Sequence, residues 1–431
     1  MRKITFLAII LTAVSFVSCK KYFDDVNTDP NSPIEVTPSA VLPGIEAKLS
    51  YALAGDGSRY STILNQQIKG VSRQWAVLEN YNFVGEDVNT LYEVLYADVL
   101  QELKELQKVA DRDGLNHYNG IAKTLEAYTL LFIADHWDSS PYSDAFQGIE
   151  NLQPLYDNQQ ELYAAVFSLL SNAREDFAQP AGPVAPGSDD LIYQGSVADW
   201  ISLTNFIEAR ANLRLAKNDP SKYQDALTLV SSGLTRDFAF EYTGGNFAHP
   251  MYQFNEQRGD CSIGTRISEL LVSYSDPRDA LFNQPFDDAN TYITRDLTDK
   301  MATLVEQKFI EAECTFQVSG AAAAHPIYLS AITMALESES ISPADIATYL
   351  GQVSVDPGAA NITLEHIMNQ KYLGLFLHCE TFTDWRRTGF PTLTPNAGST
   401  IPRRFPVPQS ERNLNSVNIP AATIYSLVNW E

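Results

Sequence analysis

Positive charge is in short supply in this 431-residue chain, which sets 30 Lys and Arg against 53 Asp and Glu for a formal net charge of -23 at pH 7. So acidic a balance argues against nucleic acid, which is held by neutralising phosphates, and against an anionic lipid surface. Cysteine is scarce too. Beyond Cys19 only Cys261, Cys314 and Cys379 remain, an odd set that allows at most one disulfide and excludes a disulfide scaffold. The histidines, at 117, 136, 249, 325, 366 and 378, match no common metal spacing, so each is expected to cap a helix or hydrogen-bond within the core. Gly-x-Ser-x-Gly, the phosphate loop, the dinucleotide fingerprint and His-Glu-x-x-His are all missing. No cofactor is expected, and scattered loop acids leave calcium open. The acid pairs Asp24-Asp25, Asp189-Asp190 and Asp287-Asp288 stand in polar, turn-like surroundings. They are expected to be solvated loop acids, not the spaced carboxylates of a glycoside hydrolase.

Long hydrophobic runs are lacking except at the start, where Arg2 and Lys3 precede an apolar stretch from Ile4 to Val17. This is the pattern of a secretory signal, too short to cross about 30 Å of hydrocarbon comfortably. Val17 and Ser18 before Cys19 resemble a lipobox, so residues 1–18 are expected to be removed and Cys19 lipidated. Residues 19–40, rich in Asp, Asn and Pro, are expected to form a flexible tether, and residues 41–431 a single α-rich domain.

Helical periodicity is what the chain has in abundance. Apolar positions 91, 95, 99, 103, 106 and 110 share a helix face, with Gly114 beyond the charged end. Further faces run through Ile121, Leu125, Tyr128 and Phe132, and through Leu162, Val166, Leu169, Ala173 and Phe177. Ser196 and Asp199 have capping-box spacing ahead of Trp200, Leu203, Ile207, Ala211 and Leu215, and Asp219-Pro220 opens another helix expected to end at Gly233. Helices return over 327–336, 343–350 and 364–379. The predicted fold is mainly α, a tetratricopeptide-like helical-repeat superhelix with a few short strands. Its scaffold spans about 41–233 and 325–385, and its loop-rich part, where ligand contacts are expected, spans about 234–324 and 386–431.

Three stretches exceed ordinary packing needs: "ADHWDSSPYSDAFQG" (134–148), "FTDWRRTGFP" (382–391) and "IPRRFPVPQSERNLN" (401–415). Arg386, Arg387, Arg403 and Arg404 are expected to form buried ion pairs and to saturate helix-end carbonyls, jobs that suit the guanidinium fork. The tail from Phe390 to Pro408, interrupted by prolines, is expected to pack as extended loop.

Together with Cys19 and its "DPN" tether (29–31), the motifs "PYSDAFQG", "SYSDPR" (273–278) and "DWRRTGFP...IPRRFPVPQSE" resemble the SusD/RagB family, in its SusD-like branch, over the whole chain from Cys19 to Trp430. The resemblance implies an outer-membrane, cell-surface lipoprotein with a helical body. It also implies a lid on a TonB-dependent, SusC-like transporter, handing over oligosaccharides or, in some members, peptides, and not an enzyme. Ligand contacts vary between members, so the candidates here come from residue type. Sugar C–H faces pack on aromatic planes while amides and guanidinium groups fix hydroxyls. "QWAVLENYNF" offers Trp75, Tyr81 and Phe83 among Gln74, Asn80 and Asn82, and "NFAHPMYQFNEQRGD" offers Phe247, Tyr252, Asn255 and Arg258. The alternatives are a peptide binder biased toward basic ligands, a lid without affinity of its own, and a surface glycan hydrolase.

Overall fold

The computed structural model describes residues 37–287 and 289–431; the leader, Cys19, the tether up to residue 36, the Asp24-Asp25 pair and Asp288 lie outside them. Helix α1 (Pro38–Ala52) starts on a proline inside the segment expected as tether, and runs through a π-helical turn kinked at Gly55 into α2 (Ser58–Leu64). Strand β1 (Ile68–Gly70) and helix α3 (Arg73–Glu79) follow.

The six positions expected to share a helix face, Leu91, Leu95, Val99, Leu103, Leu106 and Ala110, are all buried. They lie on one continuous rod formed by α4 (Asn89–Glu93), a π-helical stretch (Val94–Leu100) and α5 (Gln101–Asp113), which Gly114 ends at φ 67°. Next come α6 (Asn116–Trp137), the short strands β2 (Ser140–Pro141) and β3 (Tyr156–Asp157), which pair antiparallel, and α7 (Gln159–Phe177). Helices α6 and α7 pack along their lengths. Their approach requires Gly120, where a Cβ would stand 2.7 Å from the Phe177 ring. A capping box between Asn158 and Glu161 starts α7. In α8 (Val197–Leu215) only half of the expected box forms: Ser196 accepts from the Asp199 N–H, but the Asp199 carboxylate is drawn to Thr235 and Arg236. Helix α9 (Lys222–Val230) packs on α8 and ends three residues before Gly233.

After α9 the chain crosses an irregular part containing β4 (Phe238–Phe240), α10 (Pro250–Arg258), β5 (Cys261–Ile263), α11 (Thr265–Ser273), α12 (Asp279–Phe282) and β6 (Asp299–Ala302). The strands make two-stranded antiparallel sheets, β1 with β5 and β4 with β6. Helix α13 (Leu304–Ser319) then packs on α9 and against α14 (Ala321–Ser338), so the helical layer resumes where it broke off. Residues 304–324 were expected to be loop-rich. They are helical because Thr303 accepts from the Glu306 N–H and a face of Val305, Phe309, Ala312 and neighbours is buried. Helices α15 (Pro343–Leu350), α16 (Leu364–Gly374), α17 (Glu380–Thr388) and α18 (Gln409–Leu414) complete a mainly helical fold, with α17 packed back on α2. A second apolar cluster, around Tyr328, Ile332, Tyr349 and Ile367, joins α13 to α16.

The arginine pairs are structural. Arg387 pairs with Glu313 and, at 3.0 Å, with Asp384; Arg386 donates to the carbonyls of Asp135 at 2.7 Å and Arg403 at 2.8 Å; Arg404 donates to the Trp137 carbonyl at the end of α6; and Arg403 holds Glu431. Arg278 grips Asp276 within "SYSDPR" at 2.6 Å, both fully buried. As expected, Pro391 to Pro408 has no regular structure, and it buries Ile401, Phe405 and Val407. One expectation fails at Asp190, which is buried and not solvated. Its carboxylate accepts the N–H groups of Ile192, Tyr193 and Gly195 and the Trp200 indole N–H, the last at 2.7 Å, so it pins the entry to α8. Cys261, Cys314 and Cys379 are free and buried.

Candidate functional site

The two stretches singled out for residue type, far apart in sequence, meet on one face because β1 pairs with β5. Gly70 stands opposite Cys261 and Lys69 opposite Ser262, which brings α3 alongside α10. The turn from β1 into α3 is so tight that a Cβ on Gly70 would lie 1.9 Å from the Trp75 carbonyl oxygen. Two non-glycine residues with left-handed backbone, Arg73 (φ 51°) and Tyr81 (φ 64°), bracket α3. Such residues cost about 1 kcal/mol or more each and persist where their surroundings fix them, as at ligand sites.

Asp260, just before β5, fixes this junction. Fully buried, it accepts from the Ser72 hydroxyl, from Arg73 Nη1 at 3.0 Å and from Arg258 Nε at 2.9 Å. Burial pushes its carboxyl up, but the hydrogen bonds from Ser72 and Arg258 and the charges of both arginines hold it below the usual carboxylate range. Arg258 also donates through Nη2 to Gln74 Oε1 at 2.8 Å, which ties α10 to α3 directly. Both guanidinium groups remain partly in solvent, their side chains 57% and 36% exposed for Arg73 and Arg258. Further along, Asn396 of the tail donates through its backbone N–H to the Tyr81 hydroxyl at 2.8 Å and through Nδ2 to Glu79 Oε1 at 2.7 Å. Burial raises the Glu79 carboxyl above its ordinary value, against the Gly70 N–H and the Lys69 charge.

The aromatic half of the expectation is corrected. Trp75, Tyr81, Phe83 and Tyr252 are buried and offer no free stacking plane. Trp75 lies stacked on Tyr60 (5.4 Å, 20°) and edge-on to Phe254 (5.1 Å, 77°), with the Arg59 guanidinium 4.3 Å from the Phe254 ring centre. Phe83 packs between Tyr60 and Phe405, and Tyr252 accepts from Arg295 Nε at 2.8 Å. The physical reason is cost, since rings of this size release most by leaving water. Asn255 is buried as well, and among the described residues neither its amide atoms nor Trp75 Nε1 has a hydrogen-bond partner. What the face presents is polar: Arg73, Gln74, Asn80, Asn82, Arg258 and Asn396 are exposed, with Val71 and Val77 between them. Phe247 is 73% exposed at the tip of the Gly244–Phe247 turn, and Tyr425 is 46% exposed.

Sequence reasoning missed Arg73, Glu79, Asp260, Asn396 and Tyr425. Arg73 adjoins a quoted stretch and Glu79 and Asp260 lie inside one, where "RGD" carried a signal in an acid placed just past a helix-ending glycine, Gly259 at φ 60°. Asn396 and Tyr425 carried none, because they arrive from the tail. Chemically, the face is a fixed array of guanidinium, amide and carboxylate groups, the set that reads hydroxyls. Among the described residues no group of three or more His, Cys, Asp and Glu side chains is arranged to hold a metal ion.

Comparison with known proteins bears on the chain as a whole. A SusD-like family model, described as "Starch-binding associating with outer membrane", matches residues 30–295 and 291–408. Among solved structures, a SusD/RagB family protein from Bacteroides thetaiotaomicron superposes with a TM-score of 0.76 at 22% identity, covering 92% of this chain and 99% of that one. A chitin-binding SusD homolog from Flavobacterium johnsoniae superposes at 0.72 and 18% identity, covering 88% and 93%. A Bacteroidetes SusD-like protein gives 0.78 at 17% identity over 92% and 99%. No curated protein matches the sequence.

Proposed function

The chain belongs to the SusD-like family, and from that premise we propose that it is a cell-surface lipoprotein, anchored through Cys19, which captures oligosaccharides on the α3–α10 face. It passes them unchanged to a TonB-dependent, SusC-like transporter in the outer membrane. The observation that carries the reading is the convergence of Arg73, Gln74 and Arg258 on one face, tied by the buried Asp260 and by the Arg258–Gln74 hydrogen bond. Guanidinium and amide groups fixed in this way orient sugar hydroxyls without supplying a nucleophile or a proton-transfer pair. The chitin-binding relative and the starch-binding description of the family support glycans as the ligand class.

The test is calorimetry on the soluble form that starts after Cys19, against starch- and chitin-derived oligosaccharides and a peptide panel. Saturable oligosaccharide binding is expected, weakened about 100-fold or more by Arg73→Ala with Arg258→Ala, which removes two charged hydrogen bonds worth about 1.5–3 kcal/mol each. Binding of basic peptides alone would replace the ligand class, absence of any saturable ligand would leave only a lid, and cleavage of a bound oligosaccharide would end the account. Delivery is tested in cells by oligosaccharide uptake, which the same double substitution should slow.

A further inference from the structure

Between the helical body and the irregular part lies a cleft of about 480 Å³ to which none of the surface residues of the α3–α10 face contributes. Its mouth lies among the exposed residues Thr291, Asp296, Ser338 and Ser340, and its inner end reaches Ala54, Phe132 and Cys379. Small-molecule sites typically occupy about 300–1,000 Å³. Tyr292, Asp299 and His378 line the cleft and keep accessible surface although they sit deep in the fold.

Hydrogen-bonding capacity is left over inside. Asp299 Oδ2 accepts from Ser50 Oγ at 2.8 Å, and Oδ1 has no partner among the described residues. Among the described residues the Glu339 carboxylate receives only the Tyr292 hydroxyl, on Oε1 at 3.5 Å. Lys300, also in the lining, acts on the Glu339 carboxyl through its charge but has no hydrogen-bond or ion-pair partner among the described residues. The half-buried Leu281 and Leu297 supply apolar surface to the lining, whereas Phe132 and Phe376 are buried, stacked on His136 at 4.0 Å and on Phe282 at 4.5 Å.

We propose that this cleft is a second, internal site that holds one neutral cyclic polyol, a mono- or disaccharide. Each hydroxyl of such a ligand both donates and accepts, so it can serve Asp299, Glu339 and Lys300 together while its carbon faces pack on the leucine side chains. A ligand of a single charge leaves one sign unpaired. A zwitterionic amino acid satisfies both signs but gives up the hydration of two full charges, a cost of several kcal/mol each, against much less for hydroxyls. Burial pushes the Asp299 carboxyl up to about 7, so at neutral pH it exchanges between donor and acceptor.

The cleft and the surface face fail separately, which sets the experiment. Titration of the soluble form with D-glucose, N-acetyl-D-glucosamine, maltose and chitobiose, followed by calorimetry and ligand-observed NMR, should give saturable binding of at least one of them. Asp299→Asn and Lys300→Ala should each weaken it 10-fold or more, and Ser338→Trp, which places a ring at the mouth from an exposed position, should abolish it. Ser338→Trp should leave longer oligosaccharides on the surface face unaffected. Circular dichroism confirms that each variant is folded. No binding up to millimolar sugar, binding indifferent to Ser338→Trp, or binding of glycine or dialanine in place of the sugars would overturn the proposal.

Discussion

Asp299→Asn should change how stability depends on pH. Asp299, on β6, faces Ser50 of α1, Tyr242, whose hydroxyl meets Ser50 at 2.9 Å, and the Cys379 thiol at the start of α17, with Lys300 next to it in sequence. Burial raises its carboxyl to about 7 against the hydrogen bond from Ser50, whereas in the unfolded chain it titrates near the ordinary value of about 3.9. Between those two values the folded protein holds a proton that the unfolded chain has released. Stability therefore falls as pH rises through this window, by about 1.4 kcal/mol per unit and about 4 kcal/mol in all as an upper limit. Solvent in the cleft steadies the carboxylate and trims this toward about 2 kcal/mol. Asparagine does not titrate, so the variant gains on the parent between pH 4.5 and 8. The difference between the two proteins is the readout, because Asp276, Asp384 and Glu380, whose carboxyls charged partners hold low, give both the same opposite slope in acid. Urea unfolding at half-unit intervals with unchanged m-value measures it. Parallel curves for parent and variant would refute the buried, proton-holding Asp299.

Arg387→Ala leaves Glu313 buried without its main partner and removes one of the two cations on Asp384, so unfolding free energy should drop by about 3–5 kcal/mol in urea titrations. Gly70→Ala drives a methyl group into the Trp75 carbonyl and should cost about 1–3 kcal/mol in the same assay while loosening the α3–α10 face, read as weaker oligosaccharide binding. Cys261, Cys314 and Cys379 are buried, with burial raising each thiol and Cys261 reaching about 12, so a thiol reagent at pH 8 should label none of them until the chain unfolds.

Helices were legible where apolar spacing is clean and a cap or glycine marks the end. The 91–110 face and α7 show this, and the arginine pairs disclosed their role by composition, since such a fork beside tryptophan and proline has few uses other than buried pairing. The segment 304–324 misled because α13 buries Glu306 and Glu313 beside Phe309 and Ala312. Those acids stand where a helix reader expects apolar residues, and only their distant partners Arg210 and Arg387 make their burial affordable. Asp190 misled for the same reason, its four donors being fixed by a turn that residue type alone does not announce.

The site was half legible, and the division follows from energetics. Residue type located both stretches of the face, but it assigned ligand contact to the rings, and these belong to the core. An indole or phenol released from water contributes more to folding than it would by waiting exposed for a sugar, unless the backbone holds it out. Here the strained turns at Arg73 and Tyr81 hold out guanidinium and amide groups while directing Trp75 and Tyr81 inward. Aromatic surface is left to Phe247 and Tyr425 on turn and tail, where ring burial was not available. A ligand on this face would therefore be gripped first by directional polar contacts, with Asp260 setting the positions of both arginines. Recognition by such contacts should depend on hydroxyl stereochemistry more than on the hydrophobicity of the sugar, which separates this face from an aromatic platform of the kind the sequence alone suggested.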